Sequence, residues 1–317
     1  MSTIYFFHYC TYQLGNKSYN NKIFAIISVA AGNDVPNFSY ATSVAATRAL
    51  ESSSPGNPYH EPLAALFAGD EALEKKRLQM SASNKTACRN EVSTVVARHM
   101  IIDKMLHRAV SLSEPHGPRQ VVILGAGFDS RANRFATHLP VNKWFEIDLP
   151  APQMYKQQVL RKGGVVDPEN LVRLPLDLIS GDVVKALEEA GWDPTAPTLY
   201  ILEGLVYYFS TEKVVALLKS IPCVPRSRIV VSVVERSLQR AFARYGIDAW
   251  STNYELLRSA GALRLKNYKL RQTFSTSLPN RFGLGVWVTR PPSGTWWRRL
   301  MYNFYIPCER VLEYEAI

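Results

Sequence analysis

The sequence predicts an α/β protein: a parallel sheet wound on both faces, closed by a C-terminal hairpin and preceded by a helical cap. Three observations carry this. The run Val121-Val122-Ile123-Leu124 is wholly apolar and ends abruptly at Gly125-Ala126-Gly127, the pattern of a buried parallel strand that turns sharply into a loop. After Pro118, strand-like segments alternate with helical ones, which implies repeated βα units with ligands at the carboxyl ends of the strands. From about residue 40 to 115 the chain reads as helix alone.

In chain order, Thr42 to Glu51 reads as a helix that stops at Ser52-Ser53-Ser54-Pro55-Gly56-Asn57-Pro58, a dense run of turn formers. Pro62 to Phe67 reads as a short apolar helix. A long helix follows from Asn84 to about Ser111, with Val92, Val95, Val96, Met100, Ile101, Met105 and Leu106 at helical spacing. Strands are expected at 120–124, 142–147, 171–174, 197–202 and 228–234. Leu263 to Thr273 and Phe282 to Thr289 read as two more, joined through Pro279 and Asn280 closely enough for a hairpin. The expected organisation is an extension over 1–35 and one domain over 36–317. Within that domain, 36–117 forms the cap, 118–290 the core and 291–317 a C-terminal tail.

At 317 residues and 47% hydrophobic, the chain can bury a large core, and α/β domains commonly run this long. No apolar run approaches the roughly eighteen residues of a membrane span; Ile23 to Ala31 is the longest candidate. The first 33 residues hold no acid. Lys22 precedes an apolar run ending in small residues, which suggests a targeting segment, whereas Ile4-Tyr5-Phe6-Phe7 fits one poorly. A loosely packed extension and a cytoplasmic location are expected, with organelle targeting left open. Cys10, Cys88, Cys223 and Cys308 show no paired spacing, so reduced thiols, no metal and no disulfide framework are expected. The net charge of +10 invites a nucleic-acid partner, but Lys75-Lys76-Arg77 and Arg298-Arg299 are small clusters that read as solvated faces. Trp296-Trp297-Arg298-Arg299 is read as an anchor for the C-terminal segment rather than a base-stacking surface.

The residues that carry chemistry lie at strand ends. Gly125-Ala126-Gly127 lacks the third glycine of a dinucleotide fingerprint and the Lys-Ser/Thr of a phosphate loop. It suits a cofactor without pyrophosphate, such as S-adenosyl-L-methionine, although a buried turn alone would also explain it. The next strand, Trp144-Phe145-Glu146-Ile147-Asp148, ends in an acid that can accept ribose hydroxyls. Glu146 shares its strand face, and Asp148 before Leu149-Pro150 also fits a helix cap. Asp177, in Leu176-Asp177-Leu178, stands where adenine contacts would lie, or else caps a helix starting near Ser180. Glu203, in Leu202-Glu203-Gly204, could hold an ammonium group or stabilise positive charge on sulfur. Arg98 offers a planar fork for a carboxylate, which a lysine would not. An acid at the end of successive strands, with five parallel strands and a hairpin, gives a Rossmann-like seven-stranded sheet of the methyltransferase layout.

With these residues in place the chain resembles the leucine carboxyl methyltransferase family. The resemblance rests on Val122-Ile123-Leu124-Gly125-Ala126-Gly127-Phe128-Asp129-Ser130-Arg131, Phe145-Glu146-Ile147-Asp148-Leu149-Pro150 and Asp177-Leu178. Leu202-Glu203-Gly204-Leu205-Val206-Tyr207-Tyr208, Arg98, the helix at Ser43 to Leu50 and Tyr59-His60-Glu61-Pro62-Leu63-Ala64 add to it, over about 40 to 290. It implies an S-adenosyl-L-methionine site. Arg98 would hold the methionine carboxylate, Gly125, Ala126 and Gly127 the loop, Asp148 the ribose, Asp177 and Leu178 the adenine, and Glu203 the methionine end. Ser130 stands where the family has Thr, and Asn133 where it often has an aromatic; neither meets the expected cofactor contacts.

Methyl transfer from a sulfonium is an in-line displacement that chiefly needs alignment and exclusion of water. A carboxylate acceptor needs no base, and a phenol needs modest help. His60, His99, Tyr207 and Tyr208 are candidate helpers, with Tyr208 and His60 ranked first as catalytic residues. The leading expectation is O-methylation of a small-molecule carboxylate or hydroxyl, polyketide-like or a carboxylic acid. A protein C-terminal carboxylate is the second reading. A tRNA substrate is third, since relatives with that role carry a long repeat domain not recognised here, and a non-catalytic scaffold is fourth. The methyl acceptor and the oligomeric state are not encoded legibly.

Overall fold

The structure is a computed structural model that describes residues 39–54, 59–81, 85–111, 117–222, 224–234, 268–275 and 309–316. The extension over 1–35, the strand expected at 282–289 and the Trp296–Arg299 cluster lie outside the described residues, as do Cys10, Cys223 and Cys308. Among the described residues three helices come first: α1 (Ser39–Ser52), α2 (Ala64–Ser81) and α3 (Lys85–Ser111). Then β1 (Gln120–Leu124), α4 (Arg131–Phe135), β2 (Lys143–Asp148), α5 (Pro150–Lys162) and β3 (Leu171–Pro175) alternate. They are followed by α6 (Val183–Glu189), β4 (Thr198–Leu202), a 3-10 turn at Val206–Tyr208, α7 (Thr211–Ser220) and β5 (Arg228–Val234). Strands β6 (Tyr268–Ser275) and β7 (Glu309–Ala316) complete the set.

The strands form one seven-stranded sheet in the order β3-β2-β1-β4-β5-β7-β6. The first five pair in parallel. β7 is antiparallel to both β5 and β6, so β6 runs with the parallel set and β7 alone runs against it. Among the described residues the partner of β6 is Glu309–Ala316, and residues 276–308 lie between the two strands in sequence, so this pair is not a short hairpin. The segment assigned to a tail beyond residue 290 thus supplies a sheet strand. The sequence signal was weak because β7 carries three glutamates, of which Glu313 is buried and paired with Arg228 at 3.1 Å.

Two-residue periodicity puts the halves of each central strand in different cores. Val122 and Leu124 of β1 join Phe145, Ile147, Tyr200 and Val231 on one face, which α6 and α7 cover through Val183, Leu187, Val214 and Leu218. Val121 and Ile123 join Trp144, Leu199 and Ile201 on the other, covered by Ile101, Ile102, Met105 and Leu106 of α3. A third cluster fixes the cap: Ala45 and Ala46 of α1, Phe67 and Ala68 of α2, Phe128 after β1 and Leu160 of α5. The short helix expected at Pro62 to Phe67 continues past Gly69, which takes φ 70 and ψ 164 and so breaks the helical path inside α2. Among the described residues no helix is long and apolar enough to cross a membrane.

Glu146 belongs to this framework. It is completely buried, with Oε2 at 2.7 Å from Lys156 Nζ and 2.9 Å from Arg173 Nε. It therefore ties β2 to α5 and β3, and it has no exposed surface to offer a ligand. Removing one partner of a buried ion pair leaves uncompensated charge, at a cost of about 3–5 kcal/mol. Glu146→Ala should lower the unfolding free energy by about that amount in urea titrations, and Glu146→Leu combined with Lys156→Met should recover part of it.

Candidate active site

The sheet order reverses between β1 and β4, so the loops after these strands face each other across a switch point. They touch: a Cβ at Gly125 would lie 2.4 Å from Leu205 Cδ1, and Gly125 sits at φ +67. Only glycine meets both conditions. The backbone N–H groups of this loop are engaged within the fold. Gly125 and Ala126 donate to Ile147 O at 2.8 and 3.0 Å, and Gly127 donates to Asp148 Oδ2 at 2.5 Å.

Asp148 also accepts from Leu149 N at 2.7 Å, so both oxygens are oriented by backbone while the side chain remains partly exposed. It does not cap α5, whose N-cap is Leu149 with Pro150 beginning the helix. Burial holds the Asp148 carboxyl above its usual range, against the pull of the Gly127 and Leu149 N–H groups. Asp177 is exposed and accepts from Ile179 N and Ser180 Oγ, each at 2.9 Å; these bonds lower its pKa. The cap of the following helix is Asp182, not Asp177. Leu178 beside it is buried in the core face.

At the end of β4, Glu203 is crowded by donors. Arg98 Nε lies 2.9 Å from Oε1, while Arg131 Nη1 and His99 Nδ1 lie 2.7 and 3.1 Å from Oε2. Arg98 and Glu203, expected to grip the cofactor separately, are thus partners of each other. Gly204 follows at φ +66, and a Cβ there would point at Arg98 Nη2 from 3.5 Å. Arg131 is fully buried and continues the network to Asp103 at 2.7 Å and Asp129 at 2.5 Å. Arg134 bonds Asp103 at 2.8 Å, and its Nη2 lies 2.9 Å from His99 Nε2. Arg131 Nη2 lies equally close to His99 Nδ1, at 2.9 Å, so a guanidinium faces each ring nitrogen.

The same network reaches the cap. Arg48 of α1 bonds Glu61 Oε1 at 3.1 Å and Phe128 O at 2.8 Å, and Ser130 Oγ donates to Glu61 Oε1 at 2.7 Å. Tyr59 donates to the other Glu61 oxygen; burial and that carboxylate push its phenol up, which keeps it protonated. Arg48, Arg98, Arg131 and Arg134 balance Glu61, Asp103, Asp129 and Glu203. Sequence reasoning named Arg98 and Glu203 but missed Arg48, Asp103, Asp129 and Arg131 as site supports. A usable signal existed in Asp129-Ser130-Arg131, charged residues directly after a buried glycine turn, and in His99 and Asp103 one helical turn apart.

The proposed helpers separate. Tyr208 is half exposed, lies edge-to-face with Tyr40 at 6.1 Å, and feels the charges of both Arg98 and Asp148. Desolvation, with Asp148 adding to it, raises its hydroxyl well above 10 despite Arg98. His99 is fully buried inside the ionic network. His60 is exposed and lines a groove of about 360 Å³ with Pro62, Asn133, Arg134 and Val166; Asp148, Glu203 and Tyr208 do not line it. The side chain of Tyr207 lies outside the described residues.

These residues fit S-adenosyl-L-methionine. Gly127, at positive φ, leaves open space beside Asp148, that oriented carboxylate stands at the end of β2, and a buried guanidinium stands beside Gly204. With the sheet order, they define the class as a methyltransferase-type α/β fold. A family model described as leucine carboxyl methyltransferase matches residues 41–222, more than half of the 317-residue chain. A Frankia alni protein provisionally named as an S-adenosyl-L-methionine-dependent methyltransferase is 36% identical over 198 residues, 61% of this chain and 67% of that protein. A Streptomyces avermitilis protein named in the same way is 33% identical over 225 residues, 66% of this chain and 72% of its own. The solved structure of a provisionally named methyltransferase from Thermobifida fusca YX matches with a TM-score of 0.52 at 14% identity. That match covers 88% of this chain and 96% of the other, and it is a likeness of fold. The chain belongs to the leucine carboxyl methyltransferase family. It is an S-adenosyl-L-methionine-dependent methyltransferase.

The network also sets the acid limb of stability. Neighbouring guanidiniums and His99 outweigh burial: Arg48 and His99 hold Glu61 down from 4.5 to about 2, His99 and Arg134 lower Asp103, and Arg131 and His99 lower Glu203. A carboxyl depressed in the folded state stabilises above its unfolded pKa and loses that contribution as pH falls through its folded value. Asp148, raised, runs the opposite way, one carboxyl against three. Unfolding free energy from urea titrations should fall as pH drops from about 4.5 to about 2, and Glu61→Gln should flatten that decline.

Proposed function

We propose that the enzyme methylates an oxygen of a small-molecule acceptor, a carboxylate or a hydroxyl, with the carboxylate favoured. Tyr208 carries the reading. It follows β4 a few residues beyond Glu203, stands half exposed against Tyr40, and as a phenol is protonated at neutral pH, so it offers a hydrogen-bond donor rather than a base. A carboxylate acceptor is already anionic there and needs only orientation. His99 is committed to Glu203 and Arg134, and His60 opens elsewhere, which supports Tyr208 over His60 as the catalytic candidate.

S-adenosyl-L-methionine supplies the methyl group and its own leaving group. Arg98 would hold its carboxylate, with Glu203 fixing the guanidinium and standing at the methionine end. Asp148 would receive the ribose hydroxyls, and Asp177 and Leu178 would flank the adenine. Gly125, Ala126 and Gly127 would supply the close backbone wall, and Tyr208 would donate to the acceptor oxygen. The family description favours a protein C-terminal carboxylate as the second acceptor, since it presents the same chemistry.

Transfer of labelled methyl to a panel of carboxylic acids, phenols and C-terminal peptides tests this. Label released as volatile methanol by alkali is expected, because a methyl ester saponifies and a methyl ether does not. Alkali-stable label on phenols alone would reject the carboxylate, and transfer confined to peptides would move the reading to the protein substrate. Tyr208→Phe should lower kcat by about tenfold, the worth of one hydrogen bond in the transition state. His60→Ala should change it by less than about threefold, and Asp148→Ala should remove measurable cofactor binding.

A further inference from the structure

We infer that Arg131 is a positioning residue for the cofactor's methionine end, acting through Glu203 on the Arg98 fork. The inference rests on the reading of Arg98 as the carboxylate clamp. Arg131 has no exposed surface, so it cannot itself touch cofactor or acceptor. Its three nitrogens are nonetheless all committed. Nε bonds Asp103 at 2.7 Å, Nη1 bonds Asp129 at 2.5 Å and Glu203 Oε2 at 2.7 Å, and Nη2 lies 2.9 Å from His99 Nδ1 and 3.2 Å from His99 O. Asp129 holds the same residue a second way, accepting from Arg131 N at 2.7 Å.

Glu203 therefore has one oxygen on Arg131 and the other on Arg98 Nε at 2.9 Å. A carboxylate pulled from both sides by guanidiniums cannot rotate without breaking one charge-assisted bond. With Nε held in this way, the Arg98 guanidinium borders Gly204, where a Cβ would lie 3.5 Å from Nη2. Arg131 also sits four residues beyond Gly127, so it locks the glycine loop and the Arg98 clamp into one rigid unit. A lysine would keep the charge, but its single nitrogen could not bond Asp103, Asp129 and Glu203 together.

The test compares two ligands on Arg131→Lys by calorimetry. S-adenosylhomocysteine carries the amino-acid carboxylate, and 5′-methylthioadenosine lacks it. Arg131→Lys is expected to weaken S-adenosylhomocysteine at least tenfold and to leave methylthioadenosine within twofold. Equal weakening of both, or of neither, would overturn the inference, because a general loss of packing has no preference for the carboxylate. Arg98→Met is the reference. If it shows no selective loss, the clamp reading itself fails; if it does and Arg131→Lys does not, only the role of Arg131 fails. Should Arg131→Lys not fold by circular dichroism, Asp129→Asn loosens the same guanidinium. It should give at least a threefold selective loss, and a loss that is absent or equal for both ligands would overturn the proposal.

Discussion

A fully buried arginine amid Asp103, Asp129 and Glu203 is the constraint on which the rest of this site depends. Desolvating a guanidinium costs several kcal/mol, and the cost is met only by hydrogen bonds of good geometry to opposite charge. Each carboxylate comes from a different element: α3, the loop after β1 and the end of β4. Arg131 can be buried only when those three are assembled, and then it holds them at fixed distances. The fold and the site therefore share one interaction.

The network extends this coupling outward to the cap. Arg48 brings α1 to Phe128 O and Glu61, and Ser130, next to Arg131, donates to that same Glu61. Phe128 meanwhile packs into the apolar cluster with Phe67 and stacks on it at 5.7 Å. The glycine loop thus has cap contacts of two kinds, charged on one side and aromatic on the other. Burial of hydrocarbon makes the association favourable, and the ion pairs decide which way α1 and α3 face. Balanced charge, four guanidiniums against four carboxylates, is what lets so polar a set lie within the protein.

The parallel strands were legible because strands buried on both faces are continuous apolar runs, and each was expected within a residue of where it lies. The pairing at the sheet's far edge was not. β7 reads as surface because its glutamates look solvated, yet Glu313 finds Arg228 across the neighbouring strand, a partner 85 positions away. The same non-locality hid half of the site. Asp148 could be placed from sequence because it ends a recognisable strand, and Gly125 because a buried strand must turn there. That Arg98 and Glu203 bond each other, at 105 positions apart, follows only from the way α3 crosses the sheet. Asp177 shows the reverse limit. Its position after β3 was read correctly, but nothing local said that Asp182 would take the capping role.

The glycine loop is built unlike a phosphate site. In a dinucleotide site, loop and helix N–H groups point at a pyrophosphate. Here Gly125, Ala126 and Gly127 spend theirs on Ile147 O and Asp148, closing the ends of β1 and β2 against each other. A phosphate would compete with those bonds rather than find waiting donors. What the loop offers instead is the bare backbone of Gly127, and beside it a carboxylate whose free lone pairs are aimed by the two N–H bonds it accepts. A cofactor that presents hydroxyls at one end and an amino-acid carboxylate at the other matches such a surface. The pattern Gly125-Ala126-Gly127 thus acts less as a cradle than as a clasp, because its polarity is turned inward to orient Asp148.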